Sequence, residues 1–366
     1  MATTASGNGA TGYGATGYGA RITGVGRYVP ERVMTNAELE RMVDTNDEWI
    51  VERTGIHERR IAGPDETSST LGTRAGLAAI ESAQIDPATI DLVIAATCTP
   101  DGMFPAVATR IQHAVGARRA GAFDVNAACN GFMSALSTAV QFVAAGTSQR
   151  ALVVGTETMS RIVDWTDRGT CVLFGDGAGA VIVERSVEGE PGHINALLLR
   201  SDGSQADLLW ASGPCTPGAP SPSSALGLAR EEARIVMDGR SVFRHAVNAL
   251  VETSMEAVTN AGLTVDDIAL CVPHQANRRI ITAMADRVGL PMERVYVNVD
   301  RYGNTSSATI PIALAEAEAD GRLKPGDRVL FAAFGGGLSW SAMVVEWAGI
   351  RASRAGLPTC ILAARA

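Results

Sequence analysis

Apolar segments rich in β-branched residues alternate with segments of helical periodicity along most of the chain, and this alternation constrains the fold more than any other feature. A helix is predicted over residues 130–145, where apolar side chains recur at helical spacing and Gly146 provides a stop. Such alternation is typical of βαβ units, in which helices cover a parallel or mixed sheet. The predicted strands are 21–29, 91–97, 121–125, 150–156, 179–184, 193–199, 268–273, 295–299, 328–334 and 341–347.

Two segments in the first half of the chain resemble two segments in the second half. Residues 83–94 and 261–272 share Ala, Ile and Leu in register. Residues 174–184 and 334–346 share Phe-Gly-x-Gly followed by a strand that ends in Glu. Because both pairs occur in the same order, we expect an internal duplication. Two similar halves packed together would place a functional site at their junction.

The composition excludes several classes of protein. With 366 residues, 46% of them hydrophobic, the chain can bury a large core, and its net charge of -8 argues against general nucleic-acid binding. Six scattered cysteines without a CxxC pair argue against disulfides and zinc, so we expect a reducing cytoplasm and no metal. We expect no membrane association, because the sequence contains neither a leader nor an apolar stretch of spanning length. The Gly-rich residues 1–20 are predicted to form a disordered tail.

Cys129, in the stretch "DVNAACNGFMSAL", is the first candidate for chemistry. It stands where a predicted strand leads into a predicted helix, and a helix N-terminus lowers the pKa of a cysteine placed there. One interpretation is a thiolate nucleophile. The other is a small buried core residue, which most unpaired cysteines are.

Two further polar residues lie near the ends of predicted elements. His274 lies between a strand end and a helix start, where sheet enzymes often place functional groups, and a hydrogen-bonded loop histidine is the alternative. Asn304 follows a glycine and precedes a Ser/Thr-rich helix start, where asparagine commonly caps a helix or forms a turn. Together with Cys129 they would supply a thiolate, an imidazole and an amide donor.

Two glycine-rich segments differ in what they predict. In "FGGGLSW" the missing side chains let backbone N–H groups approach a ligand, so Gly336 could form an oxyanion hole with the N–H of Cys129. A tight turn before a strand is the alternative. "FGDGAG" lacks the G-x-G-x-x-G spacing and runs into a valine-rich strand, so it does not predict a dinucleotide site.

Six motifs, taken together, resemble the thiolase superfamily, and specifically the β-ketoacyl-acyl carrier protein synthase III family. They are "DTNDEWIVERTGIHERR", "AACNGF", "TDRGTCVLFGDGAGA", "VPHQANRRI", "RYGNTSSATIP" and "AFGGGLSW". The resemblance covers about residues 21–349. It implies an α/β fold with thiolase-like duplicated αβαβα layers and two mixed five-stranded sheets. The N-terminal half would span 21–190, the C-terminal half 191–349, and a tail 350–366.

The resemblance also implies an activity. Cys129 would accept an acyl group from an acyl-CoA primer and then condense it with malonyl-acyl carrier protein, in fatty acid biosynthesis and without a bound cofactor. His274 and Asn304 would be its partners, Gly336 the second oxyanion donor, and Phe334 the aromatic group that favours loss of carbon dioxide. The implied substrate contacts are Trp49, Arg53 and Arg168 for coenzyme A, Gly239 and Asn277 for its pantetheine arm, and Phe104 for the acyl pocket across a homodimer.

A local basic patch would let this acidic chain receive an acidic carrier protein. Arg278 and Arg279 follow the His274 motif, and Arg240 and Arg244 lie one helical turn apart. For each single arginine, a solvated helix face is an equal alternative.

Some features depart from the family pattern and keep other functions open. Asn126 and Asn130 flank the cysteine where small apolar residues are more common, and the loop 208–227 is unusually rich in Pro and Ser. Both leave the accepted acyl chain undetermined and allow a pathway-specific relative that primes a polyketide or transfers an acyl group without condensation. Hydroxymethylglutaryl-CoA synthases rely on a Glu base that has no matching motif here. Chalcone synthases keep Cys-His-Asn, but "HQANRR" and "GNTSSA" are more similar to the initiating synthase, and a non-catalytic partner would usually lack the cysteine.

Overall fold

Two β-sheets, one drawn from each half of the sequence, form the framework of the protein. The computed structural model describes residues 18–187, 192–211 and 234–350. In these ranges the strands are β1 (Tyr18–Tyr28), β2 (Val33–Thr35), β3 (Glu58–Arg60), β4 (Leu92–Ala96), β5 (Gly121–Val125), β6 (Arg150–Thr158), β7 (Asp176–Val187), β8 (Ile194–Ser201), β9 (Leu209–Ala211), β10 (Ile235–Met237), β11 (Ile268–Pro273), β12 (Arg328–Gly335) and β13 (Ser339–Glu346). The α-helices are α1 (Asn36–Leu39), α2 (Asp47–Thr54), α3 (Ser68–Ala83), α4 (Val107–Ala114), α5 (Gly131–Ala144), α6 (Arg168–Cys171), α7 (Gly239–Asn260), α8 (Arg278–Val288), α9 (Val299–Tyr302) and α10 (Thr309–Ala319).

The two sheets share one topology. The first has the strand order β1-β7-β6-β4-β5 and the second has the order β8-β13-β12-β11. In the first, β7 is antiparallel to both β1 and β6, and β4 is parallel to β6 and β5. In the second, β13 is antiparallel to β8 and β12, and β11 is parallel to β12. The similar segment pairs fall on equivalent strands, β4 with β11 and β7 with β13, so the predicted duplication is present in the fold. The exact division at residues 190 and 191 stays a prediction.

The second sheet has four strands in the described part of the chain, where five were expected. The strand predicted over 295–299 makes a single parallel bridge between Val295 and Cys271, and α9 already begins at its last residue. The backbone N–H of Asn298 donates to the side-chain oxygen of Gln275, at 3.0 Å, instead of to a neighbouring strand. A polar side chain therefore takes the place of a sheet partner, and the extended segment ends after one bridge.

Helices cover both sheets in five layers. The helices α5 and α10 lie between the sheets, where Phe132 and Leu314 share one core with Val153 and Phe331. On the outer face of the first sheet pack α3 and α4, and on the outer face of the second pack α7 and α8. The α10 helix is buried continuously from Thr309 to Ala317, as expected of a helix with no solvent-facing side. The αβαβα layering that the family resemblance implied is confirmed.

The predicted boundaries are confirmed in the core and wrong at the N-terminal end. The α5 helix covers Gly131–Ala144, within one residue of the prediction. Residues 18–20, placed in the disordered tail, belong to β1, because their backbone pairs with β7 and Ala20 is fully buried. Residues 1–17, 212–233 and 351–366, which include most of the predicted loop and nearly all of the predicted tails, lie outside the described residues.

The described residues carry no helix that combines the length and hydropathy needed to cross a bilayer. In the same ranges, no group of three or more His, Cys, Asp or Glu side chains is arranged to hold a metal ion. The described cysteines are free thiols, namely Cys98, Cys129, Cys171 and Cys271.

Candidate active site

A cavity of about 740 Å³ lies where the two halves of the fold meet. Its wall contains Cys129, which precedes α5, His274, which follows β11, and Asn304, which follows α9. Trp49 and Arg279 belong to the same wall. The three residues that the sequence marked for chemistry are therefore brought together, although they are far apart along the chain.

The glycine turn after β12 holds the backbone around Cys129. A Cβ atom on Gly335 would lie 2.8 Å from the nitrogen of Cys129 and 2.9 Å from the nitrogen of Asn130, so a side chain does not fit. Gly336 lines the cavity. Ala128, just before the cysteine, has φ = +47°, a left-handed conformation that costs about 1–2 kcal/mol in a residue with a Cβ. Gly335 therefore allows the turn to pack closely against the backbone of Cys129. The sequence analysis had interpreted the glycines of this turn as allowing a ligand to approach.

Burial dominates the electrostatics of the Cys129 thiol. Its pKa is raised to about 11, mainly by desolvation; the Ser306 side chain lowers it, the Glu157 carboxylate raises it, and the Asn304 side chain lowers it. The sequence predicted the opposite, a pKa lowered by the helix N-terminus. Burial outweighs the helix because the residue is only 9% exposed, and a thiolate there loses most of its hydration.

His274 is held on both sides, by its backbone and by its ring. Its N–H donates to the carbonyl oxygen of Ala332, at 2.8 Å. Its Nδ1 lies 2.6 Å from the hydroxyl oxygen of Thr309, which is 3.1 Å from the carbonyl oxygen of Ser306. Burial lowers the pKa of His274 to about 3. The imidazole is therefore neutral at ordinary pH.

Asn304 is fixed by the turn that contains it. Gly303 has φ = +62°, and a Cβ there would lie 2.7 Å from the carbonyl oxygen of Leu173. The N–H of Asn304 donates to that same oxygen, at 2.8 Å. Its side-chain oxygen accepts the N–H of Ser306, at 2.8 Å. The Asn304 side chain also interacts with the Cys129 thiol and lowers its pKa.

The expected coenzyme A contacts form one cluster at the mouth of the cavity. The guanidinium carbon of Arg168 lies 5.1 Å from the centroid of the Trp49 ring, and that of Arg53 lies 5.9 Å from it. Trp49 and Arg53 line the cavity. The structure thus places all three together.

The two expected pantetheine contacts also lie on the cavity wall. Gly239 is the first residue of α7. Asn277 caps α8, where its side-chain oxygen accepts the N–H of Arg279 at 2.8 Å, and its amide nitrogen donates to the carbonyl oxygen of Arg53 at 3.1 Å. Asn277 therefore ties α8 to α2 as well as lining the cavity.

The four arginines expected to receive the carrier protein lie in the first two turns of α7 and α8, and all are exposed. They are Arg240, Arg244, Arg278 and Arg279. The two helices pack against each other, and Arg279 lies 5.6 Å from the ring centroid of Phe243. Arg240 and Arg279 reach the cavity wall, so the patch borders its mouth.

The remaining predicted residues divide between the cavity and other surroundings. Phe334 is buried, lines the cavity and stacks on Trp340, with ring centroids 6.4 Å apart. Phe104 is 85% exposed and lies outside the cavity wall of its own chain, as far as the chain is described. Asn126 lines the cavity, but the side chain of Asn130 accepts a hydrogen bond from Ser341 in β13. Asn130 therefore ties the two halves together.

Four residues around the three carry no separate signal in the sequence. Cys98 lines the cavity, with its sulfur 3.4 Å from both carboxylate oxygens of Glu157 and 3.7 Å from the hydroxyl oxygen of Ser306. Ser306 is fully buried with φ = +49°, and Thr309 contacts His274. The last two stand inside "GNTSSATIP", where hydroxyl side chains at a helix start are too common to be diagnostic.

Known proteins resemble this chain over almost its whole described length. The 3-oxoacyl-[acyl-carrier-protein] synthase III model matches residues 123–203, and the model of that family's C-terminal part matches residues 258–347. The β-ketoacyl-[acyl-carrier-protein] synthase III of Roseiflexus sp. strain RS-1 is 52% identical over 328 residues, which cover 89% of this chain and 98% of the relative.

Two solved structures extend this similarity to the fold. The β-ketoacyl-[acyl carrier protein] synthase III of Thermus thermophilus has a TM-score of 0.82 and 46% identity, over 90% of this chain and 99% of its own. The priming β-ketosynthase of the R1128 polyketide biosynthetic pathway has a TM-score of 0.83 and 40% identity, over 91% of this chain and 97% of its own.

The fold, with a buried cysteine, histidine and asparagine on one cavity, is that of the thiolase-like condensing enzymes. The chain belongs to the β-ketoacyl-[acyl-carrier-protein] synthase III family. It is accordingly an acyltransferase, an initiating condensing enzyme of fatty acid biosynthesis.

Proposed function

We propose that this chain makes a 3-oxoacyl-acyl carrier protein in two steps on Cys129. The observation that carries the proposal is that Cys129, His274 and Asn304 line one cavity together with Phe334 and Gly336. The substrates are an acyl-CoA and malonyl-acyl carrier protein. Both steps use thioester chemistry and hydrogen-bond donors that the protein supplies, so no bound cofactor is required.

In the first step the sulfur of Cys129 attacks the thioester carbonyl of acyl-CoA. The carbon–sulfur bond to coenzyme A breaks, and the proton of the Cys129 thiol ends on the coenzyme A sulfur. The N–H groups of Cys129 and Gly336 donate to the carbonyl oxygen as its charge develops, and losing one such donor typically costs roughly 2.7–4 kcal/mol of barrier. The bonds from Ser306 and Asn304 to the sulfur oppose the effect of burial on its pKa.

In the second step the malonyl thioester loses carbon dioxide. The electron pair of the broken carbon–carbon bond moves onto the thioester oxygen, where Nε2–H of His274 and the amide of Asn304 donate to the enolate. The enolate carbon then attacks the acyl group, and the Cys129 sulfur leaves as a thiolate. The neutral state of His274, held by burial, supports a donor role over that of a base. The apolar ring of Phe334 favours loss of the carboxylate charge.

Coenzyme A would bind along the cavity mouth. Trp49 and Arg168 would hold the adenine, Arg53 a phosphate, and Gly239 and Asn277 the pantetheine arm. An adenine between two flat groups needs two van der Waals contacts of about 3.5–4.0 Å each. The guanidinium carbon of Arg168 lies only 5.1 Å from the centroid of the Trp49 ring, which is too close for an adenine between them. We therefore expect Arg168 to move aside when coenzyme A binds.

The arginine patch at the mouth would receive the carrier protein. Arg240, Arg244, Arg278 and Arg279 are exposed around the opening through which the pantetheine arm would enter. Clustered cations steer an acidic partner even when the total charge of the protein is negative.

A second copy of the chain would complete the acyl pocket. Phe104 and Met103 are 85% and 76% exposed, and β5 is the outer strand of its sheet in the described part of the chain. An open strand edge and exposed apolar side chains each favour pairing with another copy. A cytoplasmic location is supported by the four free thiols, which suit a reducing compartment.

The roles of His274 and Asn304 can be separated from that of Cys129. We expect His274→Ala and Asn304→Ala to keep acylation of Cys129 by acyl-CoA, seen by intact-protein mass spectrometry, but to lower carbon dioxide release from malonyl-acyl carrier protein by at least about 100-fold. His113→Ala, an exposed position on α4, is the control and should change neither rate. Normal carbon dioxide release by both site variants would refute the assignment.

Priming of a polyketide is the second candidate, favoured by the similarity to the R1128 priming ketosynthase. A panel of acyl-CoA primers of increasing length and branching distinguishes the two. Preference for a short primer, with condensation, supports the fatty acid pathway. An adduct that never condenses with malonyl-acyl carrier protein would indicate acyl transfer alone.

A further inference from the structure

We propose that Thr309 is a positioning residue that fixes the tautomer of His274: its hydroxyl donates to Nδ1, so that the ring proton sits on Nε2, the nitrogen left for the cavity. The inference rests on the proposed function, in which Nε2–H donates to the enolate oxygen. It concerns a residue on α10 that reaches the substrate only through the imidazole.

The distances assign the hydroxyl proton. Thr309 Oγ1 has one proton and two neighbours, His274 Nδ1 at 2.6 Å and the Ser306 carbonyl oxygen at 3.1 Å. Hydrogen bonds from O–H groups to oxygen usually span about 2.5–3.0 Å, whereas those from N–H groups to oxygen span about 2.7–3.2 Å. The contact with Nδ1 is shorter than the usual range for an N–H donor to oxygen. The contact with the carbonyl is long for an O–H donor.

The surroundings leave the ring with one proton and no freedom to turn away. His274 and Thr309 are 5% and 2% exposed, and burial keeps the imidazole neutral. A neutral ring carries its proton on one nitrogen, and the bond made by the other nitrogen decides which. Water has little access to Nδ1, so the hydrogen bond with Thr309 determines which ring nitrogen of His274 carries the proton.

The segment that carries Thr309 also carries Asn304. Ser306, between them, is held in a left-handed conformation with its N–H on the Asn304 side-chain oxygen, at 2.8 Å. A residue with a Cβ adopts this conformation at a cost, and such strain collects at functional sites. One short segment thereby orients the amide donor directly and the imidazole donor through a hydroxyl.

The tautomer matters for one step only. With the proton on Nδ1, Nε2 would present a lone pair to the enolate oxygen, and the two would repel. Acylation of Cys129 uses the backbone N–H groups and does not depend on the imidazole proton. Thr309 should therefore affect carbon dioxide release and spare acylation.

The test compares Thr309→Val, which removes the hydroxyl at nearly constant volume, with Thr309→Ser, which keeps a hydroxyl at this position. Thr253→Val is the matched control, because Thr253 is a fully buried helical threonine whose hydroxyl has no hydrogen-bond partner among the described residues. NMR of protein labelled with nitrogen-15 in the histidine rings reads the His274 tautomer without substrate, and a His274→Ala sample assigns its signal.

We expect the proton on Nε2 in the native protein. Thr309→Val should lose this state and release carbon dioxide at least about tenfold more slowly, since a wrong histidine tautomer can cost far more than that, while acylation of Cys129 changes less than about twofold. Thr309→Ser and Thr253→Val should behave as the native protein.

A native ring protonated on Nδ1 would overturn the inference, and this spectrum decides even if Thr309→Val fails to fold. Unchanged tautomer and carbon dioxide release in Thr309→Val would also overturn it. If His274→Ala itself releases carbon dioxide normally, the proposed function of His274 fails, whatever the tautomer spectrum shows.

Discussion

The inner end of the cavity and its mouth are built from opposite kinds of residue. At the inner end Cys129, His274 and Asn304 are each less than 10% exposed and are held by glycine turns and short hydrogen bonds. At the mouth the four arginines of the patch on α7 and α8 are exposed, and Arg279 lies 5.6 Å from the ring centroid of Phe243. The inner end works through fixed geometry and the mouth through charge, so substitutions in the two regions should change different kinetic constants.

The inner end also shows what separates a nucleophile from a neighbouring thiol. Burial raises the pKa of both Cys98 and Cys129. Ser306 lowers the pKa of both thiols and Glu157 raises the pKa of both. The Asn304 side chain lowers the pKa of Cys129, whereas the sulfur of Cys98 lies 3.4 Å from both carboxylate oxygens of Glu157. Donors stabilise a thiolate and a carboxylate opposes it.

The largest expected effect separates these two thiols. Cys129→Ala should abolish both the acyl adduct and condensation, because Asn304 favours the thiolate of Cys129 whereas the carboxylate beside Cys98 opposes its ionisation. Cys98→Ala should keep one adduct per chain in intact-protein mass spectrometry after incubation with acyl-CoA. An adduct that follows Cys98 instead would reverse the comparison.

The next effect concerns the donor on the sulfur. Ser306→Ala should raise the pKa of Cys129, because the hydroxyl no longer stabilises the thiolate, and should slow its alkylation by iodoacetamide at pH 8 by roughly tenfold. Ser137→Ala is the control, since that buried hydroxyl donates to the carbonyl oxygen of Met133 within α5. Ser306→Gly also removes the hydroxyl, but glycine adopts the left-handed conformation without a steric cost, so it separates the two effects. An alkylation rate at the native level in either Ser306 variant would show that the hydroxyl is not required.

At the mouth we expect a smaller and salt-dependent effect. Arg279→Ala should raise KM for malonyl-acyl carrier protein by about threefold at low salt, leave kcat unchanged, and lose most of its effect at high salt, as exposed charges do. Arg287→Ala on the same helix, where the side chain bonds Asn248, should leave KM unchanged. A fall in kcat with constant KM would place Arg279 with the inner end.

The smallest expected effect is that of pH, because the rate of carbon dioxide release should not change with it. Because burial lowers the pKa of His274 to about 3, the ring is protonated only near that pH and stays neutral between pH 5 and pH 8. Carbon dioxide release in a single turnover, with Cys129 already acylated, should therefore be level across this range. A decline centred near the ordinary histidine pKa, about 6.5, would show that the imidazole is exposed to water during the reaction.

Much of the inner site could be predicted from the sequence, because the neighbouring residues along the chain mark each position. They place Cys129 before a helix, His274 after a strand and Asn304 after a glycine. Ser306 and Thr309 were not found, since one hydroxyl among several at a helix start has no distinguishing neighbour. Asn130 was expected beside the acyl pocket, yet it faces Ser341, because the packing of α5 against the second sheet sets its direction.

The sequence by itself determined the alternation of strands and helices, the duplication and the residue types of the chemistry, because periodicity and turn residues act over short stretches of chain. Only the tertiary structure decided the fifth strand, the pKa of Cys129 and the partner of His274. The strand predicted over 295–299 ends where the N–H of Asn298 donates to the Gln275 side chain. Burial sets the pKa of the Cys129 thiol, and the imidazole of His274 contacts the Thr309 hydroxyl on α10. Each of these depends on groups separated in sequence that meet only in the folded chain.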